Sequence, residues 1–414
     1  MLMPFPRKAL ILFTVGIAVF AMSILTNLSG TVLPFAKDSM NLSLSMAGIL
    51  PFAFFIAYAV MSIPAGCIHE RHSARSMIIT AFCFTALATL SFIVLPSYGV
   101  FLASLFIAGA GMSVVQVVIN PLVRNVGGEE YFSFYLIFGQ LVYGAGSILS
   151  PLIFSYLITR LNAGNLSNPI IALIRVLTPP TMPWISIYWV CMIACIFVLL
   201  LLFLIKFPKM EMNSEDKIGG LKVLVKLLKD RKVWLFFFGI FAYAGVEQGV
   251  SNWMTKFLET YHGLNPETSG AVILSRFWLC ISLGGGLGVI LILLMSVKKM
   301  LGIFALIAMI LLGLSLFGSA DIVIYTFPLC GLFFAIMYPS ILSLGMNSIL
   351  EHHGALSGIL CTGICGAAVI SLLIGFLGDL IGLKLAMSII FVPLFYVLFI
   401  SIWAKPIIKN KRFF

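Results

Sequence analysis

Long apolar runs separated by short polar stretches make up most of the chain. A helix of about 20 apolar residues crosses a membrane hydrocarbon core, which is about 30 Å thick. We therefore predict twelve transmembrane helices, near residues 9–33, 46–68, 76–95, 98–122, 132–158, 182–206, 233–258, 268–296, 298–316, 321–349, 355–379 and 384–405. The fold class that follows is an all-α polytopic membrane protein.

One long polar stretch divides these runs into two sets of six. We predict an N-terminal six-helix half over 1–206, a cytoplasmic linker over 207–232 and a C-terminal six-helix half over 233–414. Within the linker, the apolar residues recur with helical spacing, which predicts a short amphipathic helix at the inner membrane surface. These residues are Leu221, Leu224, Val225 and Leu228.

The two halves carry matching landmarks at a nearly constant offset. Asn120-Pro121 is followed by Gly127 in the fourth run, and Tyr338-Pro339 is followed by Gly345 in the tenth, an offset of 218 residues. Glycines 18 residues apart recur in the second and eighth runs at an offset of 222. Internal repeats of this kind predict two parallel halves related by a pseudo-two-fold axis, with a binding site between them near the middle of the membrane.

Composition and charge placement support a membrane location. Hydrophobic residues make up 61% of the 414 residues and charged residues 9%, against about 25% charged in a soluble domain. If both termini are cytoplasmic, 19 of the 25 Lys and Arg lie on the cytoplasmic side, as the positive-inside rule requires. We expect a bacterial inner (plasma) membrane protein in contact with lipid. Its net charge of +11 is explained by orientation in the membrane and attraction to anionic lipid, so we expect no nucleic-acid partner. The other six basic residues are Lys37, Arg160, Arg175, Lys256, Arg276 and Lys384.

The sequence shows no catalytic or cofactor-binding constellation. The eight cysteines lie in or at the ends of apolar runs with packing spacings, so we expect small buried side chains and no metal site. The chain has no Gly-x-x-x-x-Gly-Lys-[Ser/Thr] loop to hold a nucleotide. We expect that the protein is not an enzyme and needs no cofactor. Any energy for transport would come from an ion gradient.

Polar side chains inside the apolar runs mark the candidate site, because they are costly to bury in lipid. In the N-terminal half these are Asn27, Gln116, Asn120, Gln140 and Tyr143. Amides and hydroxyls both donate and accept hydrogen bonds, as binding of a polyhydroxylated ligand requires. Hydrogen bonding between helices, without any ligand, is the alternative for each residue taken singly.

The seventh run holds Glu247, the one acidic residue well inside an apolar run. A carboxyl withdrawn from water binds a proton more readily, so Glu247 is the candidate coupling residue for H⁺ or for Na⁺. The alternatives are an ion pair with Arg276 and a position at the wet end of the helix. In this half the candidate binding residues are Gln248, Asn252, Trp278, Tyr338 and Asn347, whose aromatic members offer a sugar ring an apolar face.

Several stretches resemble the major facilitator superfamily, and in particular its fucose–galactose–glucose:proton symporters. The resemblance covers nearly the whole chain and is clearest at residues 27–34, 63–66, 109–121 and 338–345. Between the second and third runs, a degenerate form of the superfamily's inner-loop signature implies residues that control the conformational change. These are Gly66, Glu70, Arg71 and Arg75.

The departures from that family concern ion coupling. The member that typifies the family has an acid in the first helix where this chain has Gly30, and another in the fourth helix, before the Asn-Pro, where this chain has Gln116. The resemblance therefore implies a sugar carrier in which Glu247 has taken over coupling, Na⁺ has replaced H⁺, or transport is uncoupled.

We predict a monomeric carrier that works by alternating access. Its substrate is a small neutral solute, a hexose or related sugar. The alternative is an exporter of drugs or apolar metabolites, which would use the same fold with an apolar cavity. A receptor without transport activity is a third reading, and no soluble domain to relay a signal is found in the sequence.

Overall fold

The computed structural model describes residues 5–69, 72–127, 132–163, 168–205, 220–346, 348–349 and 353–405. Within these residues the protein is helical, without strands, and twelve helical spans are long and apolar enough to cross a membrane. This confirms the predicted number of transmembrane helices. Asn347, Glu70 and Arg71, which the sequence singled out, lie outside the described residues.

The helices extend several predicted runs by a few residues at each end. In chain order they are α1 Phe5–Thr26, α2 Ser29–Ser39, α3 Leu44–His69, α4 Ala74–Val94, α5 Tyr98–Gly127, α6 Phe132–Asn162, α7 Pro169–Leu177, α8 Ser186–Leu204, α9 Gly220–Leu228, α10 Arg231–His262, α11 Ala271–Leu294, α12 Val297–Phe317, α13 Ala320–Phe334, α14 Met337–Met346, α15 His353–Thr362, α16 Gly366–Ile381, α17 Leu383–Met387 and α18 Phe391–Trp403. Short 3-10 or π turns cover Pro183–Ile185, Pro266–Gly270, Gly363–Cys365 and Ser388–Ile390.

Four spans are made of two consecutive helices. The first is interrupted by a turn at Asn27 and Leu28 between α1 and α2, and the tenth by a turn at Ala335 and Ile336 between α13 and α14. The eleventh is α15 and α16 and the twelfth is α17 and α18, each pair joined by a 3-10 turn. Interrupted helices expose backbone polar groups, which membrane proteins tolerate where the interruption is buried in protein or lines a cavity.

Helix packing repeats between the two halves. In the N-terminal half α3 packs on α5, α4 on α8 and α1 on α6. The corresponding helices of the C-terminal half form the same pairs, α11 with α13, α12 with α18 and α10 with α16. The close approaches rely on glycine: a Cβ at Gly109 would lie 2.1 Å from the Phe54 oxygen, and one at Gly284 would lie 2.2 Å from the Leu332 oxygen. The fold is thus two six-helix bundles built on one plan.

The halves contact each other mainly through three helix pairs, α3 with α16, α6 with α11 and α2 with α10, and α3 also contacts α15. The first two pairs exchange under the repeat, as a pseudo-two-fold axis requires. Polar contacts of all three pairs occur at the end of the bundle that carries residues 38–45, 162, 256–267 and 379. We call this the Asp379 end.

Two short helices lie outside the spans. Helix α9 contacts α10 and α15, and its start at Gly220 agrees with the predicted linker helix. Helix α7 was not predicted, because nine residues are too few to cross a membrane. It packs between α6 and α8 near the Asp379 end.

Candidate functional site

A cluster of polar side chains bridges the two halves around the interruption of the first span. Asn27 and Tyr143 come from the N-terminal half, and Tyr243, Glu247 and Tyr338 from the C-terminal half. Four of these five residues were singled out by the sequence as site residues, and the structure brings them together. We call this group the central cluster.

Asn27 is held by its amide nitrogen. The Nδ2 group donates to the hydroxyl of Tyr143 at 3.1 Å, to Ser147 Oγ at 2.8 Å and to the Ser23 oxygen at 3.1 Å. The side chain is 2% exposed, and its Oδ1 atom accepts no hydrogen bond from the described residues. Asn27 Oδ1 is therefore available to a ligand hydroxyl. A hydrogen bond from that hydroxyl would be favourable, because a buried acceptor without a partner costs about 1–3 kcal/mol.

Glu247 lies on the middle of α10, with Tyr243 one turn earlier on the same helix. Its carboxyl is near enough to Tyr143 and Tyr243 to interact electrostatically with both. The Tyr243 ring is 5.9 Å from that of Tyr338, centre to centre. Glu247 is partly exposed inside this ring of tyrosines, and it forms no salt bridge among the described residues. Arg276 is exposed on α11, so the alternative of a Glu247–Arg276 pair has no support in the structure.

The amide of Asn252 is used for contacts between helices. Its Oδ1 accepts from the Ser29 hydroxyl at 2.6 Å, and its Nδ2 donates to Ser371 Oγ at 3.0 Å. Gln248 is 5% exposed and accepts a hydrogen bond from Ser251 at 3.3 Å. Both side chains lie on α10, toward the Asp379 end from Glu247.

Trp278 and Gln116 are predicted binding residues outside the central cluster whose side chains the structure describes. Trp278 is 3% exposed and packs edge-on against Phe277, and its buried indole nitrogen has no hydrogen-bond partner among the described residues. Gln116 is half-buried on α5, and the Tyr338 hydroxyl is 3.5 Å from Cys361 Sγ. For Asn120 and Gln140 the structure describes the helical backbone but not the side chains.

Gly30 lies at a close approach between α2 and α10. A Cβ there would lie 2.3 Å from the Ser251 oxygen, and the Thr255 hydroxyl donates to the Gly30 oxygen at 2.5 Å. An acid at this position, as in the symporters that the sequence resembles, does not fit this arrangement. The lack of a side chain at Gly30 therefore allows α2 of one half to pack closely against α10 of the other.

At the Asp379 end, a carboxylate of one half caps a helix of the other. Asp379, near the end of α16, accepts hydrogen bonds from the backbone N–H of Leu44 at 2.8 Å and of Ser45 at 2.7 Å, and also from the Ser45 hydroxyl. These are the first N–H groups of α3, which lack a partner within their own helix. A negative charge at a helix N-terminus is stabilising.

A second contact occupies the position related by the repeat. Asn162, at the end of α6, donates through Nδ2 to Glu267 Oε1 at 3.1 Å. Ser45 and Glu267 are 222 residues apart, and Asp379 and Asn162 are 217 apart, close to the offsets of the sequence repeat.

A third contact joins Lys256 to Asp38 at 3.4 Å and to Glu259 at 2.7 Å.

Of the four predicted gating residues, the structure describes two. Arg75 donates through Nε to the Leu202 oxygen at 2.8 Å and through Nη2 to the Phe203 oxygen at 3.1 Å. It therefore satisfies the last carbonyl groups of α8, where a positive charge is favourable. Gly66 is buried near the end of α3. Glu70 and Arg71 lie outside the described residues, and the gating role stays a prediction.

Sequence reasoning missed several residues of these contacts. Tyr58, on α3, interacts with Tyr143, and its only signal was a lone tyrosine in an apolar run. Asp379 was placed at the end of a run without a role, although it lies four residues after Gly375 and three before Gly382. The structure shows why Gly375 stands there, because a Cβ at that position would lie 2.4 Å from the Leu44 oxygen of the other half.

Two six-helix bundles around a polar cluster define a class, the membrane carriers with a site between two halves. The sequence profile of the Major Facilitator Superfamily matches residues 15–370. The chain belongs to this superfamily. It is an integral membrane transporter and not an enzyme.

The chain is similar to characterised transporters over most of its length. It is 29% identical over 373 residues to a glucose/galactose transporter of Brucella abortus, covering 89% of this chain and 87% of that protein. It is 26% identical over 386 residues to the L-fucose-proton symporter of Escherichia coli, covering 88% and 85%. Among solved structures, FucP in its outward conformation matches 96% of this chain and 99% of its own, with a TM-score of 0.68 at 23% identity.

Proposed function

We propose that the protein carries a hexose or a related neutral sugar across the membrane by alternating access, with coupling to H⁺ or Na⁺ through Glu247. The observation that carries the proposal is the central cluster, in which the unpaired Oδ1 of Asn27 and the tyrosine hydroxyls come together between the halves. The activities of the relatives, glucose/galactose transport and L-fucose-proton symport, support the substrate class.

The chemistry of the central cluster suits a sugar. Each sugar hydroxyl both donates and accepts, so it can donate to Asn27 Oδ1 and accept from a tyrosine hydroxyl. The rings of Tyr243 and Tyr338, tilted by 44° to each other, offer apolar faces to the C–H groups of a pyranose. Because residues from both halves contribute, a bound sugar would be held during exchange between the two open states.

Alternating access requires the contacts at the Asp379 end to form and break. The basic excess at the opposite end supports a cytoplasmic position for that end and for both termini, so the Asp379 end would face outward. In the arrangement described here, α2–α10, α3–α16 and α6–α11 close the outer side. Separation of these three pairs would open the central cluster to the outside.

Glu247 is suited to coupling because no described cation neutralises it. Loading with H⁺ or Na⁺ would remove the cost of a buried charge as the halves close over the site. Tyr143 belongs to the other half, interacts electrostatically with Glu247 and accepts a hydrogen bond from Asn27. It therefore connects the ion-binding carboxyl with the sugar-binding amide.

Counterflow in proteoliposomes tests the proposal without any ion gradient. Vesicles containing the purified protein are preloaded with one unlabelled sugar, and entry of labelled fucose, galactose, glucose or mannose is followed. We expect exchange of at least one hexose, and its loss in Asn27→Ala. Absence of exchange for every sugar, by protein that elutes as a folded species, would contradict a sugar carrier.

A further inference from the structure

An apolar groove of about 410 Å³ lies on the outer surface of the N-terminal half, away from the central cluster. It is formed where α7 crosses over α6 and α8. Its lining is aliphatic or aromatic except for one amide, with Leu152, Ile153 and Tyr156 from α6, Ile170 and Ile174 from α7 and Val190 from α8. The amide is that of Asn168.

Helix α7 exposes apolar side chains as well as burying them. Ile171 and Ile174 are buried against the bundle, whereas Ile170, Leu173 and Val176 are 64%, 59% and 83% exposed. An exposed apolar patch of this kind marks an interaction surface. In a protein of twelve transmembrane spans, a short helix with such a surface lies in the membrane interface, with its apolar side chains among the acyl chains.

The groove is fixed in shape by caps at both ends of α7. At the N-terminus, the Asn168 side chain accepts from the Ile170 N–H at 2.9 Å. At the C-terminus, the Trp189 indole of α8 donates to the Leu177 oxygen at 3.3 Å. A preformed groove loses less conformational entropy on binding than one that must be ordered.

Two arginines stand beside this groove. Arg160 lies one turn beyond Tyr156 on α6, with its guanidinium 5.4 Å from the centre of that ring. Arg175 follows Ile174 in the last turn of α7. Neither forms a salt bridge with a described residue. Guanidinium groups bind phosphate through paired hydrogen bonds, so the site combines an acyl-chain groove with an anion-binding rim.

We propose that this groove binds one acyl chain of an anionic phospholipid, with Arg160 and Arg175 holding the phosphate headgroup. The positive rim selects an anionic over a zwitterionic headgroup, and the apolar floor selects a lipid over a free phosphate. The site is independent of sugar transport, since none of its residues belongs to the central cluster.

Native mass spectrometry of the full-length protein tests the headgroup part. The protein is released from detergent after titration with phosphatidylglycerol or with phosphatidylcholine, and the lipid-bound fractions are compared. We expect preferential retention of phosphatidylglycerol, weakened about fivefold by each of Arg160→Gln and Arg175→Gln. Lys384→Gln is the matched control, because Lys384 also lies over a tyrosine ring, 5.0 Å from the centre of Tyr261, but stands on α17 and not beside the α6–α7–α8 groove.

A second pair of variants tests the groove itself. Leu152→Trp fills it while both arginines stay, and Leu149→Trp places the same side chain on the same helix outside the groove. The two leucines are 37% and 40% exposed, so neither change disturbs the core. We expect Leu152→Trp to reduce phosphatidylglycerol binding and Leu149→Trp to leave it unchanged.

Equal retention of both lipids by the unmodified protein, or an unchanged preference for phosphatidylglycerol in both arginine variants, would overturn the proposal. So would inorganic phosphate that displaces phosphatidylglycerol fully, because the rim alone would then account for binding. Loss of binding in Lys384→Gln equal to that in Arg160→Gln would mean general charge attraction in place of a site.

Discussion

The carboxylate of Asp379 caps the first turn of α3 from the opposite half of the molecule, with 2.7 Å between Asp379 Oδ2 and the Ser45 nitrogen. Its second oxygen accepts from the Leu44 N–H. The contact is made between two helices whose glycines allow close approach, and its repeat-related counterpart is Asn162 with Glu267. The Asp379 carboxylate thus helps to hold this end together, beside the Asn162–Glu267 and Lys256–Asp38 contacts.

Asp379→Asn should loosen this end. The amide keeps one acceptor oxygen and loses the charge that favours the N-terminus of α3, a cost of about 1 kcal/mol or roughly fivefold in the closed-to-open ratio. Hydrogen–deuterium exchange should be faster for the amides around Leu44 and Ser45. Asp321→Asn is the control, because Asp321 is exposed in the first turn of α13 and makes no contact with α3. Unchanged exchange at the start of α3 would show that the cap contributes nothing to closure.

Gly30→Ala should slow transport without unfolding the protein. Its Cβ would overlap the Ser251 oxygen, so α2 and α10 cannot approach fully, at a cost of about 1–3 kcal/mol. Counterflow is the measurement. Gly16→Ala, in α1, has no atom within 4 Å of the added Cβ and should keep the rate of the unmodified protein. Gly30→Ala at that same rate would mean that this close approach is dispensable.

Tyr143→Phe should weaken sugar binding. It removes a hydroxyl that accepts from Asn27 at 3.1 Å and that we place against the sugar, a loss of about 1 kcal/mol or roughly fivefold in the half-saturating concentration. Tyr156→Phe makes the same change on the same helix at a side chain that is 49% exposed on the outer surface. If both variants show the same half-saturating concentration, Tyr143 is not part of the binding site.

Arg75→Gln should lower thermal stability more than transport. The guanidinium satisfies the last carbonyls of α8 with two hydrogen bonds, and its loss costs about 1–2 kcal/mol, which corresponds to a fall in Tm of roughly 1–2 °C for a chain of this length. Arg276→Gln, at an exposed position of α11, should leave Tm unchanged. A fall of the same size in Arg276→Gln would point to net charge as the cause.

The sequence predicted the architecture well because the membrane imposes strong rules. Helix length, the absence of charge within spans and the repeat offsets were enough for twelve spans in two halves. The rarity of polar side chains within the apolar runs was enough to select Asn27, Tyr143, Glu247 and Tyr338, because such side chains are costly to bury in lipid.

Contacts between the halves were beyond sequence reasoning. Asn252 looked like a binding residue, but whether its amide meets a sugar or two serines depends on which helices adjoin α10, and its own neighbours in sequence do not show this. Helix α7 was missed because its nine residues carry neither the length of a span nor the charge of a loop. Asp379 was visible only as an acid at the end of a run.

Glu247→Gln in two parallel assays tests the central claim that the carboxyl of the central cluster couples an ion to sugar movement. Glutamine keeps the size and hydrogen-bonding capacity of the side chain but carries no charge and binds no H⁺ or Na⁺ as a carboxylate does. We expect hexose counterflow to continue, while accumulation driven by an imposed H⁺ or Na⁺ gradient is lost. Equal loss of both activities in folded protein, or full retention of accumulation, would contradict the account.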